Sequence, residues 1–129
     1  MKDIVFSPIG FVRTEASDIP KHFSISSVRG ELVLKEDYLH GLKDICVGQD
    51  LVVIFCFHKS PPFTKDLLEQ RPPHRDHPKG VFSICSPVRP NGIGLSVVEV
   101  IGIERNVVEV NHIDMLDGTP ILDLKPHKS

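Results

Sequence analysis

Residues 93–113 read IGLSVVEVIGIERNVVEVNHI. Two runs rich in Val and Ile, Ile93 to Ile103 and Val107 to Ile113, flank Glu104-Arg105-Asn106, a joint of hairpin length. Branched side chains lose freedom in a helix and pack well on a pleated surface, so these runs are read as an antiparallel pair of strands. Ile4 to Val12, Glu31 to Leu34, Leu51 to His58, Gly80 to Cys85 and the short Ile121 to Leu124 have the same character and are bounded by Gly, Pro, Asn or Asp. Glu36 to Leu42 and Thr64 to Gln70 look helical, but neither is long enough for the crossover that a parallel sheet requires. About seven strands with short turns point to an all-β barrel or sandwich.

With 129 residues and no internal repeat or linker, one domain spanning 1–129 is expected. The hydrophobic share of 40% and charged share of 25% suit a globular chain with its own core. Cys46, Cys56 and Cys85 are odd in number and show no CxxC spacing, which implies a reducing compartment and hence the cytoplasm. No signal-peptide core and no run of ~18 apolar residues is found, so neither secretion nor a membrane partner is expected. Fifteen Lys and Arg against 17 Asp and Glu leave a net charge of −2. That excludes coating of nucleic acid by bulk charge, and any such contact has to be local. The local candidate is Arg71-Pro-Pro-His-Arg-Asp-His-Pro-Lys79, with Arg71, Arg75 and Lys79 as fixed cations. A solvated polar loop is the plainer account of the same residues.

There is no Walker loop, no GxGxxG and no GxSxG elbow. His74 and His77 lack a third regularly spaced ligand, so no metal is expected. Two constellations remain. In Ser86-Pro-Val-Arg-Pro-Asn-Gly-Ile-Gly-Leu-Ser96, two prolines stiffen a loop, two glycines permit close approach, and Arg89 offers a planar fork to an anion or base. In Asp114-Met-Leu-Asp-Gly-Thr-Pro-Ile-Leu-Asp-Leu-Lys-Pro126, three carboxylates surround an Asp-Gly-Thr-Pro turn. Neither names a reaction by itself.

GVFSICSPVRPNGIGLSVVEV (residues 80–100), followed after thirteen residues by DMLDGTPILDLKP, resembles the TrmO family, also called YaeB or VirR-like. The opening IGFVRT and the strand VVIFCFHKS match the family's shorter segments in the same order. The resemblance implies a single-sheeted antiparallel β-barrel with one or two short helices that pairs as a homodimer. It also implies a transferase that uses S-adenosyl-L-methionine (SAM) to methylate N6 of threonylcarbamoyladenosine next to the tRNA anticodon. Carried over residue by residue, the cofactor contacts are Pro20, Lys21, His22, His58, Lys59, Arg89, Asp117, Gly118, Thr119 and Pro120, and Arg89 is expected to share one cleft with the 117–120 turn. Asp117 and His58 are the expected catalytic residues, with Asp114 a further candidate, and the Arg71 to Lys79 loop is assigned to the anticodon loop of tRNA. Cys85 stands where the family has arginine and Gly92 where it has proline. A SAM-dependent enzyme acting on a small molecule, or a SAM-binding barrel without turnover, are the alternatives.

Overall fold

The computed structural model describes residues 1–73 and 75–128. Strands β1 (Gly10–Arg13), β2 (Gly30–Leu34), β3 (Asp50–Cys56), β6 (Ile93–Glu104), β7 (Val107–Asn111) and β8 (Pro120–Pro126) form one antiparallel sheet, while β4 (Glu69–Gln70) and β5 (Lys79–Gly80) pair apart from it. The six run in the order β1-β2-β7-β6-β3-β8. Gly10 opposite Ile121 and Phe11 opposite Pro120 then join β8 back to β1, so the sheet closes into a barrel.

Side chains alternate across a strand, and burial here alternates with them. Val12, Leu32, Leu51, Val53, Val98, Val100, Val108, Val110 and Ile121 point inward with essentially no exposure, and Ile113 and Met115 plug one end. Each such aliphatic side chain stabilises the fold by roughly 1.5–3 kcal/mol relative to leaving it in water. The expected hairpin is present: β6 and β7 are joined by Arg105 and Asn106, with Arg105 at φ 53° and the Asn106 amide donating to the Leu34 carbonyl at 2.7 Å.

Six of the seven expected strands belong to the barrel. The exception is Gly80 to Cys85, where only Gly80 pairs and Val81–Ser83 turn as a 3-10 helix. That run has strand-forming residues but no neighbour to pair with, and Phe82 is left exposed. The first strand starts at Gly10 rather than Ile4. Pro8 has no N–H to extend the ladder, and Ile9 makes the last cross-strand bonds, to Ile121 and Lys35. The two helical stretches are 3-10 segments, Glu36–Leu42 and Lys65–Leu68.

Candidate functional site at the barrel rim

The inward row of β6 begins with small residues, Gly94 and Ser96, before Val98 and Val100. That taper leaves room at one end of the barrel, and two aromatic rings occupy it. Gly94 lies opposite Phe55, and a Cβ added there would sit 2.3 Å from Phe55 Cζ and 2.8 Å from Phe57 Cζ. Only glycine lets the rings of Phe55 and Phe57 lie across the strand. They meet edge to face with centroids 5.0 Å apart.

Three further segments close over this end. The β7–β8 connection carries Asp114 to Thr119, the β1–β2 connection brings Ile19 to Phe23, and the chain leaving β3 brings His58 to Ser60. Ile113 N–H donates to the Val28 carbonyl at 2.9 Å, and the His112 ring meets the Ser26 carbonyl at 2.7 Å, which ties the first two segments together. Between them lie two adjoining cavities of about 260 and 440 Å³ that share Lys21, Phe55, Phe57 and Asp114. The smaller is walled by Ile19, Met115 and Leu116, with Lys59 at its edge. The larger is walled by Phe23, Ile84 and Leu95, with His22, Cys85 and Arg89.

Asp114 is the half-buried carboxylate common to both cavities. Its Oδ1 accepts from the Ser96 hydroxyl. Burial pushes its pKa above the usual carboxylate range, while the Ser96 bond, the His22 charge and the Phe23 backbone pull it back down. The outcome is a carboxylate more basic than an exposed aspartate.

The residues expected at the site divide in space. Pro20, Lys21, His58, Lys59 and Thr119 line the smaller cavity, although they come from three connections far apart in sequence. Lys21, His22 and Arg89 line the larger. The one cleft expected for Arg89 and the 117–120 turn is therefore two neighbouring cavities, with only Thr119 of that turn on their walls. Gly118 and Pro120 line a shallow apolar groove on the outer wall beside Phe11 and Val33. Gly118, at φ +84°, still backs the site, because a Cβ there would lie 3.8 Å from His58 Nε2. Asp117 lines neither cavity: its Oδ1 accepts from the Thr14 N–H at 2.9 Å, across 103 residues of chain. Its geometry is that of a brace between the turn and β1. Asp117→Ala should therefore lower the thermal midpoint, by the roughly 1–3 kcal/mol of a partly buried donor left unpaired, and calorimetric unfolding checks this.

Arg89 uses Nη1 on its own loop, donating to the carbonyls of Ile84 at 2.7 Å and Ser86 at 3.2 Å. Arg71 and Arg75 are exposed, and with Lys79 they belong to the hairpin closed by Glu69 opposite Gly80 and Gln70 opposite Lys79; His74 lies outside the described residues. Gln70 Nε2 donates to the carbonyls of Leu67 and Val88 at 2.8 and 2.9 Å, which joins the hairpin base to the Arg89 loop. Among the described residues, no three His, Cys, Asp or Glu side chains are grouped to hold a metal ion, and no helix is long and apolar enough to cross a membrane. Asp117 and His58 are the catalytic residues expected from the sequence, with Asp114 a further candidate, and Ser96 has no role assigned there. The available signal was a polar residue at an inward-facing position of an otherwise apolar strand.

A small antiparallel barrel whose rim holds cations around a half-buried carboxylate defines a ligand-binding barrel. The family profile for the tRNA-methyltransferase O N-terminal domain matches residues 11–129, and the chain belongs to that family. It is 34% identical to the S-adenosyl-L-methionine-binding protein of Archaeoglobus fulgidus, covering 96% of this chain and 89% of that one. It is 40% identical over 88 residues to the tRNA (adenine(37)-N6)-methyltransferase of Mus musculus, covering 68% of this chain and 20% of that protein. The crystal structure of TrmO from Pseudomonas aeruginosa superimposes with a TM-score of 0.75 at 30% identity, over 98% of this chain and 56% of that one. The chain thus spans little more than half the length of that solved structure.

Proposed function

We propose that this chain binds SAM and methylates N6 of an adenosine beside the anticodon of tRNA, with threonylcarbamoyladenosine as the substrate nucleoside. The observation that carries this reading is the gathering of Pro20, Lys21, His58, Lys59 and Thr119 around one cavity next to a basic carboxylate. The donor set fits the cofactor. Apolar Ile19, Met115 and Leu116 suit an adenine ring, and Lys21 and Lys59 suit the amino-acid carboxylate. When bound, SAM supplies a methyl group made electrophilic by the charged sulfur that carries it. The larger cavity, with Arg89 and His22, is assigned to the acceptor base.

The exocyclic nitrogen of adenosine is a weak nucleophile because its lone pair is delocalised. Asp114 accepts the N6 proton as that lone pair is committed to the new bond, then releases it to water. Its place on the shared wall of both cavities favours it over Asp117, whose Oδ1 is engaged with Thr14. His58, on the smaller cavity only, is assigned to the cofactor. Phe55 and Phe57 exclude water from beneath the reacting groups, and in-line positioning supplies much of the rate. The working form is read as a cytoplasmic homodimer. The exposure of Ile4, Val5 and Phe6, at 76%, 87% and 67%, supports an apolar partner surface near the start of the chain.

Mass spectrometry of tRNA nucleosides tests the reaction, with SAM and either threonylcarbamoylated or unmodified tRNA. A mass gain of one methyl on the threonylcarbamoylated nucleoside alone is the expected result. Methylation of unmodified adenosine moves the substrate assignment, and SAM binding without any product leaves a binding barrel. The hairpin has its own test. Arg71→Ala with Arg75→Ala should flatten the plot of log K for tRNA against log salt by one to two units, at about 0.7–0.9 per phosphate contact, with SAM affinity unchanged. An unchanged slope together with lost SAM binding would make the hairpin a lid over the cofactor.

A further inference from the structure

Ser96 has no exposure, and it sits on β6 opposite Val53, in the inward row that continues with Val98 and Val100. A hydroxyl in such a row costs about 1–3 kcal/mol unless it is hydrogen-bonded, and alanine or valine there would serve the core without that cost. Its hydroxyl donates to Asp114 Oδ1, 18 residues away on the β7–β8 connection. Asp114 carries no side-chain bond to a cation among the described residues, so this hydroxyl is its side-chain hydrogen-bond partner, beside the backbone at Phe23.

We propose that Ser96 is a positioning residue whose hydroxyl fixes the orientation of the Asp114 carboxylate at the junction of the two cavities. This rests on the reading of Asp114 as proton acceptor. The bond has a definite electrostatic sense. A hydroxyl that donates to a carboxylate favours its ionised form, which opposes the burial that pushes Asp114 upward. The other titratable or charged groups facing Asp114 are Lys21 and His22 from the β1–β2 connection, His58 and Lys59 from the end of β3, and Cys85 and Arg89 from the loop before β6. None of them is substituted when Ser96 alone is changed, and Ser96→Thr, which restores the hydroxyl, separates its effect from theirs.

The test starts with the free chain, by carbon-detected NMR titration of the Asp114 carboxyl in wild type, Ser96→Ala and Ser96→Thr, with Asp114→Asn to assign the signal. Ser96→Ala should move the Asp114 midpoint further upward, and Ser96→Thr should return it to the wild-type position. In methyl transfer, Ser96→Ala should shift the acid limb of kcat to higher pH. It should also lower the plateau by about 10- to 100-fold, the equivalent of one charge-assisted hydrogen bond, with KM for tRNA held and Ser96→Thr restoring the rate. A midpoint that stays put in Ser96→Ala overturns the proposal at the hydrogen bond. A midpoint that moves while the rate profile does not overturns it at the other end, by removing Asp114 as the proton acceptor. If Ser96→Ala does not fold, Ser96→Cys keeps the volume and weakens the donor, and the same titration reads a smaller upward shift.

Discussion

Asp114→Asn is expected to bind SAM and to fold more stably than wild type near pH 8, yet to transfer methyl groups about 10²- to 10⁴-fold more slowly, the contribution of a positioned proton acceptor. The stability half of that result follows from burial. Asp114 holds its proton more tightly in the folded chain than in the unfolded one, because desolvation penalises the charged form. The folded state therefore binds more protons between the unfolded and folded midpoints, and stability falls as pH rises through that window. Asparagine has no charge to desolvate and can still accept from Ser96 through its carbonyl oxygen. The gap between the two thermal midpoints should close as pH falls below the ordinary carboxylate range. Thermal unfolding from pH 3 to 8 together with single-turnover rates checks both halves. A variant that keeps wild-type kcat would move the proton acceptor to another residue, with His58 next in line.

Gly94→Ala should cost more than its single methyl suggests. The new Cβ would lie 2.3 and 2.5 Å from Phe55 Cζ and Cε2 and 2.8 Å from Phe57 Cζ, so both rings must leave their positions. Overpacking of this kind typically destabilises by about 1–3 kcal/mol. The functional effect is additional, because the same two rings line both cavities. Calorimetric titration should show SAM affinity falling by about tenfold or more, on the order of 1.4 kcal/mol. Gly94→Ala with Phe55→Leu should recover part of the stability, since the two positions face one another across β3 and β6. Unchanged SAM affinity in the single variant would place the cofactor away from these rings.

Much of the barrel was legible from local chemistry. The Val- and Ile-rich runs Leu51 to Phe55 and Ile93 to Ile103, bounded by turn residues, and the short Arg105-Asn106 joint specified strands and the hairpin, whereas which side chains of the wholly apolar Leu51 to Phe55 run face inward is set by the closed sheet. The run from Gly80 to Cys85 misled because strand propensity reflects packing against a neighbour, and here no neighbour lies alongside. Pro8 was visible as the end of the ladder, yet the apolar Ile4-Val5-Phe6 before it read as a continuation.

The site was legible only in its parts. Motif and turn chemistry pointed to the Asp-Gly-Thr-Pro turn, the Pro-Asn-Gly-Ile-Gly loop and the His58-Lys59 end of β3, and the chain's membership of the tRNA-methyltransferase O family accounts for their presence together. Which carboxylate of the Asp114 to Asp123 segment faces the cavities is a different matter. Asp114 and Asp117 are three residues apart with the same side chain, and the local signal, the Asp-Gly-Thr-Pro turn, points to Asp117. The choice is made by partners far away in sequence: Thr14 on the chain leaving β1 takes Asp117, and Ser96 inside β6 takes Asp114. Strand composition and turn preference act over a few residues and so are written into the sequence, whereas cavity position and acidity depend on which distant groups the closed sheet brings to one rim, and that only the tertiary structure decides.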